Sequence, residues 1–245
     1  MSYQNNSLIS CNIWERKGKI VKRDQLLLLT STVNFALFVP LAWWAHKHPQ
    51  PPVEVGMTHL FQKKQSAFLH YATIVVSTLS GSAVLLNILV IPTALVLWKR
   101  NLRLEAMMTL GNSWTSALVR MVIKEVVDRP RPSPLLVYTT KRSRKTSFPS
   151  GHVASSLGFW GWLFVLGMLV MKENPRWQKG LLSLPLLFVV LVGPSRIYLG
   201  DHWLTDVLGG YLFGGGWFCL SLRLYLRLRE KGVLSREQSS RESST

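Results

Sequence analysis

Cysteine is nearly absent, with Cys11 in a polar stretch and Cys219 in an apolar run. Two thiols so placed build neither a disulfide framework nor a cysteine-based metal site, and they leave the redox compartment unread. Acidic residues are scarce as well: 12 Asp and Glu stand against 29 Lys and Arg, a net charge of +17 at pH 7. No internal repeat of about 20–50 residues is visible, which excludes a solenoid or other repeat array. A cleaved secretory leader is not expected either. Residues 1–25 are polar and too long for an n-region, and the apolar run after them outlasts an h-region, so it reads as a retained membrane helix.

What the chain has in quantity is apolar sequence, 48% of its residues. A nucleic-acid binder gathers its cations on one folded face with aromatics between them. Here Lys and Arg sit mostly between apolar runs, the positive-inside pattern of a membrane protein, and no nucleic-acid partner is expected. The expected partner is the bilayer.

A spanning helix needs about 20 mainly apolar residues. Residues 26–44, 71–98 and 153–171 reach that length alone, while 180–195 and 207–222 need flanking residues or tilt. The stretch 106–119 is weakest and spans only if Glu105 and Arg120 lie at its ends or face the protein interior. The fold class expected is all-α, a six-transmembrane-helix bundle over residues 26–229, with polar tails at 1–25 and 230–245. The last of these, from Ser235 onward, has the composition of disorder.

Six spans put both termini on one side. Arg16, Lys17, Lys19, Lys22 and Arg23 precede the first, Lys99, Arg100 and Arg103 follow the second, and Lys172, Arg176 and Lys179 follow the fourth. With Arg223, Arg227, Arg229 and Lys231 after the last, that side is expected to be cytoplasmic. The other side then carries loop 46–70, where residues 53–65 suit a short interfacial helix, the loop 124–151, and a short turn at 195–202.

Three clusters of chemistry-bearing residues fall on that opposite side. Lys124 is followed by Arg131-Pro132, Phe148-Pro149-Ser150-Gly151-His152 opens the fourth span, and Ser195-Arg196 leads to His202 and Asp206. Three permanent cations beside a membrane are costly unless an anion shares them. Phosphate fits: Arg holds two oxygens with a planar fork, and Lys supplies a compact charge. Ser150 and Gly151 precede a helix, so their backbone N–H groups face outward at its positive end, and Gly151 has no Cβ to hinder approach. His202 and Asp206, four apart on a helix, share a face. A carboxylate on one imidazole nitrogen leaves the other lone-paired as a nucleophile, and His152 is placed to act as an acid and then a base.

The pattern Lys-x6-Arg-Pro, Pro-Ser-Gly-His, Ser-Arg-x5-His-x3-Asp resembles that of the type 2 phosphatidic acid phosphatase (PAP2) family, relatives of bacterial acid phosphatases and vanadium haloperoxidases. The motifs run from Lys124 to Asp206 without a departure. The resemblance implies that Lys124, Arg131 and Arg196 bind phosphate with Ser150 and Gly151, that His152 is the general acid, His202 the nucleophile and Asp206 its partner. It implies a phosphatase acting on a lipid phosphate or diphosphate through a phosphohistidine, with no metal and no cofactor. Undecaprenyl diphosphate, phosphatidic acid and phosphatidylglycerol phosphate all fit, and the oligomeric state is not legible.

Other residues carry plainer readings. Arg129 reads as an auxiliary or surface charge, because the spacing from Lys124 selects Arg131. Asp201 is a rival carboxylate for His202, but neighbours on a helix point about 100° apart, which favours Asp206. Arg120, one turn before Lys124, is left open between a substrate contact and a pairing with Glu105 or water. Lys141, Arg142, Arg144 and Lys145 suit a solvated loop that attracts anionic headgroups. Trp43, Trp44 and Trp98 read as interface anchors, and Gly209, Gly210 and Gly214 to Gly216 as a close-packing face. The rival functions are a lipid phosphotransferase using the same site, a vanadate-type haloperoxidase, and a non-enzymatic basic membrane protein. The expected location is the plasma membrane, with the site on the extracytoplasmic face.

Overall fold

The structure is a computed structural model. It describes the backbone of residues 3–81, 83–140, 146–170 and 175–234 and the side chains of residues 20–80, 85–140, 146–169 and 182–234. The cluster 141–145 and the tail from Ser235 therefore lie outside the described residues. Among those described, regular structure is entirely helical: α1 (Tyr3–Lys47), α2 (Pro52–Gln62), α3 (Ala67–Gly81), α4 (Ala83–Lys99), α5 (Arg103–Val127), α6 (Gly151–Ser156), a π-helical turn (Leu157–Gly161), α7 (Trp162–Val170), α8 (Pro175–Tyr198) and α9 (Leu204–Glu230).

The glycines of α9 explain its position. Helices in lipid approach closely where side chains are small. A Cβ at Gly216 would lie 3.0 Å from the Phe35 ring, and one at Gly215 would lie 3.2 Å from Asn34 Oδ1, so this face of α9 is filled by α1. Ser31 Oγ donates to Gly216 O at 2.9 Å. Nearer the start of α9 the site loop packs as closely, because a Cβ at Gly209 would sit 2.4 Å from the Phe148 ring and one at Gly210 2.9 Å from Ser150 O. Phe38, Val127, Phe148, Ala154 and Phe213 make the core behind that loop. Leu104, Met108, Trp162, Leu166 and Tyr225 fill the far end.

Apolar side chains also cover much of the outside, Leu26, Leu29, Leu37 and Trp43 on α1 and Leu186, Leu187 and Val190 on α8 among them. Such a surface suits hydrocarbon better than water. Among the described residues three helical stretches are long and apolar enough to cross a membrane: Ile20–Lys47, Gly151–Leu169 and Leu204–Glu230. The expected single span 71–98 is instead broken. Its halves, Ala67–Ser80 of α3 and Leu85–Lys99 of α4, meet at 46°, and counting them as one span gives four. The six spans of the sequence reading are therefore not confirmed: the described residues hold three to four candidate spans.

One further expectation changes. The first half of the 195–202 turn is helix, since α8 runs through Pro194, Ser195 and Arg196 to Tyr198. Proline removes one helical donor and leaves the carbonyl four residues earlier unpaired. Tyr211 of α9 repairs the defect: its hydroxyl donates to Val189 O at 2.8 Å and lies 3.3 Å from Val190 O, while Gly193 N–H donates to it at 3.2 Å. The short helix expected at 53–65 is present as α2, starting at Pro52.

The π-helical turn between α6 and α7 frees the Gly158 carbonyl, which accepts from Asn112 Nδ2 of α5 at 2.7 Å. At one pole of the bundle Asp24 of α1 pairs with Arg223 and Arg227 of α9 at 2.9 and 2.7 Å. The ends of α5 and α8 and the starts of α6 and α9 meet at the other pole, and there all the motif residues lie.

Candidate active site

Polar bonds between distant loops build this pole. Gln62 at the end of α2 donates to Tyr138 O at 2.8 Å and Tyr198 O at 3.0 Å, and its Oε1 accepts from Tyr138 N–H at 3.2 Å. Gly200, at φ +66°, turns the chain out of α8 so tightly that a Cβ there would lie 1.9 Å from Tyr138 O. His202 follows within this connection, and α9 begins only at Leu204.

The helical argument for pairing His202 with Asp206 therefore needs correction, although the pair itself forms. His202 precedes the helix, while Asp206 sits in its first turn and accepts from Trp203 N–H at 2.8 Å, the role of an N-terminal capping carboxylate. The same oxygen, Oδ2, accepts a short hydrogen bond from Ser147 Oγ and lies 3.4 Å from His202 Nδ1. Ser147 Oγ is 3.3 Å from that nitrogen. Two acceptors on Nδ1 favour a proton there and leave Nε2 lone-paired. Nε2 is buried and without a hydrogen-bond partner. Burial, followed by the charges of Arg131, Arg196 and Lys124, holds the His202 imidazole well below its ordinary pKa.

Arg129 is not a surface charge: it is wholly buried between two carboxylates. Its Nη1 donates to Asp206 Oδ1 at 2.8 Å and to Thr205 Oγ1 at 2.6 Å, and Nη2 makes a short ion pair with Glu54 of α2. Glu54 Oε1 in turn accepts from Thr205 N–H at 2.8 Å. An arginine fully removed from water requires such partners, and its adjacency to Asp206 supplies them.

The motif cations arrive from three elements. Lys124, in the last turn of α5, donates to Thr146 O at 3.2 Å and Ser147 O at 3.3 Å. Arg196, in the last turn of α8, pairs with Asp201 at 2.6 Å and makes a short bond to Ser77 Oγ, while its Nε has no partner. Arg131 Nη1 donates to Asp201 O at 3.2 Å. Asp201, the rival for His202, thus serves the arginines instead.

Ser150 caps α6, but its backbone N–H donates to Asp206 O at 2.9 Å and is spent on holding the loop. The anion-binding role expected of that N–H does not fit; the group left over is the Ser150 hydroxyl, buried and unpartnered. Gly151 and His152 line a cavity of about 730 Å³ together with Arg120, Lys124 and Arg131. Arg120 pairs with Ser155 and Ser116 at 2.8 and 3.4 Å rather than with Glu105, which accepts from the Tyr225 hydroxyl. Among the described residues no three His, Cys, Asp or Glu side chains gather as a metal site would require.

Glu54, Ser147 and Thr205 are contributors that motif reading missed. The scarcity of acids was the available signal for Glu54, since a carboxylate in an apolar chain demands a cation.

Comparison with known proteins gives the same picture from outside. The chain is 28% identical to phosphatidylglycerophosphatase B of Bacillus subtilis (strain 168) over 185 residues, 74% of this chain and 87% of that protein. It is 32% identical to lipid phosphate phosphatase delta of Arabidopsis thaliana over 56% of this chain and 34% of that one. An undecaprenyl-diphosphatase of Sulfolobus acidocaldarius shares 33% identity over 32% of this chain and 33% of its own length. In fold, the crystal structure of a transmembrane PAP2-type phosphatidylglycerolphosphate phosphatase from Bacillus subtilis superposes with a TM-score of 0.68 at 24% identity, covering 81% of this chain and 97% of that one. That of Aquifex aeolicus LpxE gives 0.52 at 21% identity, covering 71% and 97%. The model of the PAP2 superfamily matches residues 104–230, the segment that carries every motif residue gathered at this pole and more than half of the chain, which therefore belongs to that superfamily.

Proposed function

We propose that this chain is an integral membrane phosphatase that hydrolyses a lipid phosphate or diphosphate through a phosphohistidine on His202. The long apolar helices and membrane-bound relatives mark an integral membrane protein, and the relatives, named as phosphatases of phosphatidylglycerophosphate, lipid phosphates and undecaprenyl diphosphate, supply the substrate class. The observation that carries the mechanism is the buried, unpartnered Nε2 of His202, backed through Nδ1 by Asp206 and Ser147.

In this scheme the terminal phosphoryl group is held by Lys124, Arg131, Arg196, the Ser150 hydroxyl and the Gly151 N–H. The Nε2 lone pair forms a P–N bond as the bond to the leaving oxygen breaks, and protonated His152 gives that oxygen its proton. Neutral His152 then takes a proton from water as the water oxygen bonds to phosphorus and the P–N bond breaks. The cations are in place before charge builds on the phosphoryl oxygens, which is where electrostatic catalysis is most effective. The reaction proceeds without a metal ion in this reading. With both termini cytoplasmic, the site opens to the extracytoplasmic side, the pole opposite the pairing of Asp24 with Arg223 and Arg227.

The test is phosphate release from lipid substrates by the purified protein in detergent. Activity is expected to persist in EDTA and to be inhibited by vanadate, with label from the substrate appearing as free phosphate. Loss in EDTA that Mg²⁺ restores sinks the metal-free scheme, and label passing into a second lipid turns the reading to a phosphotransferase.

A further inference from the structure

Arg120 is the cation that the phosphatase motif leaves over. It lies in α5 one turn before Lys124, partly buried, and its guanidinium runs past the start of α6, where a Cβ on Gly151 would sit 3.7 Å from its Nε. Its partners are two neutral hydroxyls, Ser155 at 2.8 Å and Ser116 at 3.4 Å. No carboxylate pairs with it among the described residues. A cation in that condition remains available to an anion.

Its position within the cavity says which anion. Two antiparallel helices line this space, and both change character in the same direction. Along α5 the lining passes from Trp114 and Ala117 through Arg120 to Lys124. Along the helix that begins at Gly151 it passes from Phe159 and Gly158 through Ser155 to His152. Leu86 and Val90 of α4 continue the apolar end. The Arg120–Ser155 hydrogen bond thus sits between the motif cations and an end of the cavity that is mainly apolar, with Asn87 and Ser113 also lining it. One helical turn, about 5.4 Å, separates it from Lys124.

A lipid that puts its terminal phosphate among Lys124, Arg131 and His202 must lay its tail along the apolar end. Whatever the lipid carries between tail and terminal phosphate then passes Arg120. From this we infer that Arg120 binds a second, tail-side phosphoryl group, so that the chain selects lipids bearing two phosphoryl groups in line over lipid monophosphates. The second group has two possible sources: the inner phosphate of a lipid diphosphate, or the phosphodiester that joins lipid to a phosphorylated glycerol. Arg rather than Lys suits the position because a fork reaches two phosphate oxygens while still accepting support from Ser155. This inference rests on the phosphatase reading above and names its substrate class.

Two pairs of substrates test it, each matched in tail: polyprenyl diphosphate against polyprenyl monophosphate, and phosphatidylglycerophosphate against phosphatidic acid. The wild-type protein and Arg120→Gln are compared by kcat/KM in the same detergent, with melting temperature as the check on folding. The wild type is expected to favour the two-phosphate member of at least one pair. In Arg120→Gln that preference falls by about tenfold or more, mostly through KM, the loss expected for one charge-assisted hydrogen bond to phosphate. Arg120→Lys restores part of it, and the pair that responds identifies the source of the second phosphate. Equal losses on both members of each pair, or a smaller change in both ratios, overturn the inference while leaving the phosphatase reading intact. Should Arg120→Gln fail to fold, Arg120→Lys is judged by the same ratio. Release of phosphate from none of the four lipids by the wild type sinks both readings.

Discussion

Arg129 Nη1 lies 2.8 Å from Asp206 Oδ1, and neither side chain has any exposed surface. Asp206 is thereby divided between two tasks. Oδ1 is held by the arginine, and Oδ2 faces Ser147, the Trp203 N–H and His202. Arg129 and Glu54 extend the support to α2, so the orientation of the candidate nucleophile is tied to a helix far away in sequence.

Removing one partner from a buried ion pair leaves the other charge unsolvated, at a cost of about 3–5 kcal/mol. Arg129→Met is therefore expected to lower the melting temperature in detergent sharply, and Arg129→Lys to rescue little, because a single ammonium cannot reach Glu54, Asp206 and Thr205 together. A stable, fully active Arg129→Met protein would show that this network does not hold Asp206.

The two histidines should separate by leaving group. His202→Ala is expected to abolish the phosphoenzyme. His152→Ala reduces turnover most for lipids with poor leaving groups and is partly rescued by an activated ester, which needs no proton. Covalent trapping of labelled phosphate by His202→Ala would move the nucleophile elsewhere.

The pH dependence follows from the depressed His202 pKa. The ordinary value is 6.5 and the folded value is lower, so His202 stays neutral, and nucleophilic, as pH falls through 6.5. The acid limb for phosphoenzyme formation is accordingly expected below that pH in rapid-quench measurements. Stability has the same sign: below 6.5 the unfolded chain binds a proton at this histidine that the folded chain does not, so His202 disfavours the folded state increasingly with acid. An acid limb centred above 6.5 and abolished with His202 would contradict the buried, cation-flanked setting.

Orientation is accessible to labelling. In a background lacking Cys11 and Cys219, Leu135→Cys, at a position 94% exposed in the loop beside the site, should react with an impermeant thiol reagent on intact cells. Lys231→Cys, just beyond α9, should react only after the cells are opened. The reverse pattern inverts the topology and assigns the site to the cytoplasmic lipid pool.

The motif residues were legible because phosphate chemistry fixes their types and spacing, and the structure brings Lys124, Arg131, Ser150, Gly151, His152, Arg196, His202 and Asp206 to one pole. Their supports were less so. Arg129 looks like a loop charge until Glu54 is placed against it, and nothing local to α2 announces a partner about 75 residues downstream, as the observed pairing requires. Ser147 is one hydroxyl among many in sequence, and only the fold sets it between Asp206 and His202. The pairing of His202 with Asp206 was anticipated from helical spacing, but it arises from an extended approach to a helix start. Helix ends were misjudged where a remote group compensates a local signal, as Tyr211 does for Pro194, and a continuous apolar run hid the bend between α3 and α4.

The π-helical turn at Leu157–Gly161 gives the helix through the site a change of phase. The extra residue is absorbed within one rotation, so every later residue is set back by roughly 100° around the axis from where an unbroken α-helix would carry it. The half carrying His152 and Ser155 is thus indexed to the polar pole, and the half carrying Trp162, which donates to Thr109 Oγ1 at 2.8 Å, is indexed separately to the bundle interior. Deleting a single residue between 157 and 161 would turn the bulge into a regular turn and leave His152 and Trp162 on their present bearings, whereas winding all five residues as α-helix would rotate one of the two away.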